Sequence, residues 1–241
     1  MPPLIIRKGA LPKLFIVFTI MMAFVLHTFD IQTYLQHRVL GKPENLSVQL
    51  VANKTYLVSG VVGMNDCERV STKIKDYTAT VILDSPGGSF VEGLCIAENF
   101  KKRNIHTIVT AKPYTIDDKI VYEPTKKSLC ASACTYMFLG GHTRELIGDA
   151  KFGIHNPGLP REYIRFLDRK EIEYTTFTTA DKLARSLNTL GLKGEDVRRL
   201  FFVIPNESIF WLTPKYFTKH PQFKTIATIY NDFFGYTGKV E

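Results

Sequence analysis

Residues 79–110 constrain the fold more tightly than any other stretch. Residues 79–83 (ATVIL) form a short apolar run ending at Asp84. Residues 90–102 (FVEGLCIAENFKK) place their apolar side chains at helical spacing, and Ser89 before them is a good N-cap. Residues 105–110 (IHTIVT) are again apolar and β-branched. A strand, a helix and a strand in this order make a βαβ unit, whose crossover is right-handed. The apolar run has no polar alternation, so its strand is covered on both faces. The chain is therefore α/β, built on a parallel sheet.

The pattern extends on both sides. Residues 55–62 (TYLVSGVV) read as a strand, and residues 68–75 have helical spacing. Ser85-Pro86-Gly87-Gly88-Ser89 reads as a tight turn between strand and helix. Residues 112–128 interrupt the alternation with Pro113, Pro124 and two aspartates. They are expected to form a long loop or small hairpin over the strand ends, near the cleft and able to gate it. Residues 131–139 (ASACTYMFL) look like the start of a buried helix, and residues 150–154 like a strand leading into His155. Residues 161–190 are one long helix or two. No repeat or linker interrupts the chain after residue 50.

With 241 residues, the chain can bury one sizeable core and carry an appendage. Apolar residues make up 45% and charged residues 22%, which excludes a disordered chain. The net charge of +8 is scattered, with no basic block interleaved with aromatics and no zinc-finger spacing, so nucleic acid is not an expected partner. Residues 14–26 (LFIVFTIMMAFVL) form an uncharged run preceded by Arg7, Lys8 and Lys13. A span needs roughly 20 residues, which residues 12–29 nearly supply if Lys13 snorkels. The run ends in Phe24-Val25-Leu26-His27 rather than small residues, which fits an uncleaved anchor better than a cleaved signal. Three parts are thus expected: a signal anchor over 1–29, a polar stalk over 30–52 and a globular domain over 53–241. Positive charge stays in the cytoplasm, so the domain is expected outside it, with a bacterial periplasm the favoured compartment.

Four positions can carry chemistry. The paired glycines of Ser85-Pro86-Gly87-Gly88 let backbone approach a ligand and point an N–H into the cleft at the carboxyl end of a strand. Cys130-Ala131-Ser132-Ala133-Cys134 sets a serine among small residues at a helix start, where the N–H of Ala133 could hold an oxyanion. His155 follows Phe152-Gly153-Ile154 at a strand end, where an imidazole can serve as general base. Each feature alone also fits an ordinary turn, a packed helix or a structural histidine.

Taken in order, SPGG, CASAC and GIHNP, with 23 residues from Ser132 to His155, resemble the Clp protease proteolytic subunit family over residues 60–217. The anchor and cysteines look closer to an extracytoplasmic, membrane-associated branch of that superfamily. The resemblance implies a ClpP/crotonase-like spiral of ββα units behind an N-terminal transmembrane helix. It implies a serine peptidase acting on peptide or protein substrates without a cofactor or metal, with Ser132 as nucleophile and His155 as base. The N–H groups of Gly88 and Ala133 would form the oxyanion hole. A homo-oligomer and a membrane, met through the N-terminal helix, are the other implied partners.

The match weakens at the acid. Trp211-Leu212-Thr213-Pro214 fits the family's segment there, but the acid's position, two before Trp211, holds Ile209. Glu207 is the nearest carboxylate and the candidate third member, with Asn206 as an amide alternative. Lys126 and Lys127 leave a Ser-Lys dyad as a minor reading. The cysteines are read as four buried thiols packing as small hydrophobes. A Cys130–Cys134 bond stays open, since pairing is allowed outside the cytoplasm. The displaced acid supports one alternative function, a non-catalytic binding or scaffold protein of the cell envelope. A crotonase-type acyl-CoA enzyme fits less well, because CoA is cytoplasmic and no carboxylate pair is placed for hydration chemistry.

Overall fold

The apolar run at 79–83 becomes the start of a central strand, β3 (Thr80–Gly88), in a computed structural model that describes residues 45–75, 77–124, 128–158, 164–192 and 194–230. The expected anchor, most of the expected stalk, and Lys126 and Lys127 lie outside the described residues. Among the described residues, no helix is long and apolar enough to cross a membrane.

The predicted βαβ unit is present. After β3, Ser89 caps helix α2 (Phe90–Lys102), its Oγ accepting from the Glu92 N–H, and β4 (His106–Thr110) pairs parallel to β3. Before β3 come β1 (Ser47–Ala52), β2 (Thr55–Val62) and α1 (Asp66–Lys73). Residues 47–52, read in the sequence as stalk, are a strand antiparallel to β2. The later strands are β5 (Tyr114–Ile116), β6 (Lys119–Tyr122), β7 (Leu129–Ala131), β8 (Thr143–Ile147), β9 (Lys151–Ile154), β10 (Phe210–Leu212) and β11 (Thr228–Tyr230). The later helices are α3 (Ala133–Leu139), α4 (Arg169–Thr189), α5 (Glu195–Val203) and α6 (Pro214–Lys219). Within the 161–190 stretch, α4 is a long helix begun by a capping box between Asp168 and Glu171.

The strands run in the order β10-β9-β7-β3-β4-β8-β11, with β2 and β1 branching at β3. Strand β3 pairs with β2 along its length, with β4 at Thr80–Ile82 and with β7 only at Ser85. Two strands therefore follow one another along a single edge of β3, and the sheet curls there. The SPGG segment is not a turn. It extends β3, because Gly87 and Gly88 stay paired with Val61 and Val62 of β2.

Helices α2 and α3 supply much of the main core. Leu94, Ile96, Ala97 and Phe100 of α2 and Met137, Phe138 and Leu139 of α3 are buried. Each of these side chains other than Ala97 contributes about 1.5–3 kcal/mol on leaving water. The two helices meet backbone to backbone at Gly93, where a Cβ would stand 2.7 Å from the Ala133 carbonyl oxygen. The disulfide Cys67–Cys95 joins α1 to α2 with Cα atoms 5.7 Å apart. A second disulfide joins Cys130 to Cys134 with Cα atoms 5.2 Å apart. The expectation of four free thiols is therefore corrected: both pairs lie within the Cα reach of a disulfide, and no cysteine among the described residues is free.

The described part of the insertion, residues 112–124, is a hairpin, β5–β6, and none of it lines the cavity that holds Ser132. Tyr114 and Tyr122 cover Ile82, Ile108 and Ile147 in a second, smaller apolar cluster. The Tyr122 hydroxyl donates to Asp84 Oδ2 at 2.8 Å, and the Leu129 N–H donates to Asp84 Oδ1 at 3.1 Å. Burial pushes the Tyr122 phenol well above its ordinary value, so it remains a donor. The hairpin is thus clamped to the sheet, and its tyrosines explain why: they have apolar strand faces to cover.

Candidate active site

Strand β7 ends at Ala131 and helix α3 begins at Ala133, so the chain must reverse at one residue, Ser132. Its φ is 57° and its ψ is −122°. A side chain is rarely held at such a positive φ, which costs of order 1–3 kcal/mol. A serine on a sharp strand-to-helix turn presents its Oγ outward, the geometry suited to a nucleophile. Contacts on all sides hold this turn. The Ser132 N–H donates to the Gly153 carbonyl at 3.1 Å, and the Thr135 N–H donates to the Ser132 carbonyl at 2.9 Å. The Thr135 hydroxyl donates to the same Gly153 carbonyl at 2.6 Å. Gly87 packs flat against the turn: a Cβ there would lie 2.5 Å from Ser132 Cβ and 2.8 Å from the Ala133 nitrogen. Only glycine allows that approach, and Gly87 also has φ 100°.

Gly153 lies on β9, two residues before His155, so one carbonyl couples the serine turn to the histidine strand. Ser132 and His155 line a single cavity of about 470 Å³. Gly88, Ser89, Phe90, Ala133, Tyr136 and Asn206 are also on its wall. Four of the five sequence-predicted site residues are thereby brought together: Ser132, His155, Gly88 and Ala133. The N–H groups on either side of Gly88 are committed. That of Gly87 donates to Ser85 Oγ at 3.0 Å and that of Ser89 to the Val62 carbonyl at 2.8 Å.

Glu207 is the site candidate that does not line this cavity. It is exposed, and none of the described lining residues is a carboxylate. His155 Nδ1 bonds the Asn156 carbonyl at 2.8 Å. A carbonyl can only accept, so Nδ1 carries the proton and Nε2 is left as the basic nitrogen. That carbonyl also accepts from the Gly158 N–H at 2.9 Å. Asn156 is fixed in turn by its N–H on the Ile204 carbonyl at 2.8 Å and its amide on the Phe202 carbonyl at 3.1 Å. This partner is invisible in the sequence, because a backbone acceptor has no residue type.

Strand β10 pairs antiparallel with β9, with Phe210 opposite Ile154 and Trp211 opposite Gly153. Continued by one residue, that register sets Ile209 opposite His155, on the same face. A Cβ on Gly153 would indeed stand 2.6 Å from an Ile209 methyl carbon. The position that the sequence pattern marks for an acid, one residue beyond this pairing, thus holds an aliphatic side chain that reaches Gly153.

Tyr136 and Phe90 meet edge to face at 5.2 Å on the cavity wall, and Phe201 of α5 lies behind Tyr136 at 5.8 Å. Burial raises the Tyr136 phenol far above its ordinary value and keeps it neutral. The described wall beside Ser132 is therefore aromatic, with a neutral phenol.

No protein-family model and no curated protein matches the chain. Among solved structures, the chain is similar to a ClpP1 mutant from Listeria monocytogenes. The match has a TM-score of 0.51 and 16% sequence identity, and covers 76% of this chain and 94% of that one. The chain has a ClpP-like fold. At this identity the likeness speaks to the fold, and the chemistry rests on the cavity itself.

Proposed function

We propose that this chain is a serine peptidase of ClpP type. The observation that carries the reading is Ser132, held at positive φ on a strand-to-helix turn, in one cavity with a histidine whose Nδ1 is already committed. In this reading His155 Nε2 takes the Ser132 hydroxyl proton as Oγ attacks a peptide carbonyl. The oxyanion is met by the N–H groups of Gly88 and Ala133, and His155 then returns the proton to the leaving amine. The Asn156 carbonyl holds the ring in the reactive tautomer. It lacks the full negative charge that a carboxylate sets against the imidazolium. Turnover is accordingly expected to fall below that of a triad with an acid, whose loss elsewhere costs up to about 10⁴-fold.

The domain acts outside the cytoplasm, tethered by the apolar run at 14–26. Two disulfides support this placement, since such bonds persist in oxidising compartments. Its substrates are peptides or proteins. A second copy of the chain is a further partner, supported by Tyr174 and Phe177 standing exposed on α4.

The competing reading is a binding or scaffold protein of the envelope, favoured by the absence of a carboxylate from the described cavity wall. Hydrolysis of unstructured, fluorogenic peptide mixtures by the purified domain separates the two. Cleavage that disappears in Ser132→Ala and in His155→Ala is expected. Cleavage unchanged in both variants, or absent from the wild type, favours the scaffold.

A further inference from the structure

We propose that the Cys130–Cys134 disulfide is a positioning device for Ser132, an inference that rests on the hydrolase reading above. The bond joins the residues two before and two after the serine and closes a five-residue ring around it. Both half-cystines are fully buried. One belongs to β7 and the other to the first turn of α3.

Ser132 could leave its unfavourable φ in two ways. The backbone could open toward an extended conformation, or helix α3 could grow backward through the serine. Extended chain would carry the ends of a four-residue step to roughly 13 Å. The disulfide holds those ends at 5.2 Å and forbids it. A helical turn would satisfy the bond, but it would take Cys130 and Ala131 out of β7. They are held there by pairing with Phe152 and Gly153 of β9, and Cys130 also pairs with Ser85 of β3. Sheet pairing excludes one relaxation and the disulfide excludes the other. The sharp turn is what remains, and it is the turn that presents Oγ and sets the Ala133 N–H beside it.

Cys67–Cys95 supplies the internal control. It ties α1 to α2 and encloses no residue of the cavity wall that carries the proposed chemistry except the Gly88 backbone, which β2 fixes independently. Loss of either bond removes a cross-link; only one of them spans the serine.

The test is the rate of Ser132 phosphonylation by a fluorophosphonate, measured as a function of probe concentration on the folded domain. The Cys130→Ala/Cys134→Ala variant is expected to lose at least tenfold in the saturating rate. Its half-saturating concentration should stay within about threefold, because the cavity wall that binds the probe is unchanged. The Cys67→Ala/Cys95→Ala variant is expected to label within about twofold of wild type at a temperature where both variants are folded by circular dichroism. If the alanine pair does not fold, Cys130→Val/Cys134→Ala refills more of the core and is measured instead. Equal rates in the Cys130/Cys134 variant and wild type, or an equal fall in both double variants, overturn the proposal. Failure of both Cys130/Cys134 variants to fold assigns the bond to folding and also overturns it. A wild type that takes no label at all refutes the hydrolase reading, a result distinct from the others.

Discussion

Gly87→Ala adds one methyl group at the point where β3 touches the serine turn. That methyl would stand 2.5 Å from Ser132 Cβ, 2.6 Å from the Ala131 carbonyl oxygen and 2.8 Å from the Ala133 nitrogen. None of these atoms is the free end of a flexible side chain, so the backbone itself must move. Overpacking of this kind costs typically 1–3 kcal/mol, and an L side chain at φ 100° adds about 1–2 kcal/mol. The sum, about 2–5 kcal/mol, is a large share of a native stability of about 5–15 kcal/mol. Gly191→Ala isolates the conformational part. Gly191 also has positive φ, 75°, but among the described residues a Cβ there meets only Lys101 Nζ, at 3.8 Å. Urea unfolding of the two variants gives the comparison. With a slope of about 2 kcal/mol per molar, a loss of 3 kcal/mol lowers the midpoint by about 1.5 M. Gly87→Ala is expected to lose at least about 1 kcal/mol more than Gly191→Ala, and its Ser132 labelling should fall with it. Equal midpoints for the two variants would refute the claim that Gly87 is pressed against the serine turn.

Three further outcomes are expected. Ile209→Asp, at an exposed position one residue beyond the β9–β10 pairing, where the continued register faces His155, should raise the rate of Ser132 labelling by on the order of tenfold, by supplying the charge that the Asn156 carbonyl lacks; an unchanged rate with native folding would place the 209 side chain away from the ring. Glu207→Gln should leave the labelling rate within about twofold, and a loss of orders of magnitude would return Glu207 to the ring and displace Asn156. Tyr122→Phe removes the hydroxyl that holds Asp84 and should cost about 1–2 kcal/mol in urea unfolding, with no loss meaning that the hairpin is held by its apolar cluster alone.

What could be read from the sequence was local. The ends of β2 and α2 were legible because their signals are carried by consecutive residues: a β-branched run for one, helical spacing and the Ser89 cap for the other. The SPGG segment was misread as a turn because its strand character comes from β2, a partner some 26 residues upstream. Strand β7 is three residues long and shows no periodicity; it exists because β3 and β9 flank it. The hairpin at 112–128 was recognisable, but its location depended on which sheet face lacked a cover. In the site, Ser132, His155, Gly88 and Ala133 were legible as side chains or small residues in a given order. The serine's strained φ, the Cys67–Cys95 bond across 28 positions and the carbonyl behind His155 were not, since each is a property of the folded backbone.

The most direct measurement is to map the fluorophosphonate adduct by peptide mass spectrometry on the oxidised, folded domain. The account predicts a single modified residue, Ser132, with the adduct lost in Ser132→Ala and slowed by orders of magnitude in His155→Ala. An adduct on another serine, or none on a domain shown to be folded with both disulfides formed, would contradict it.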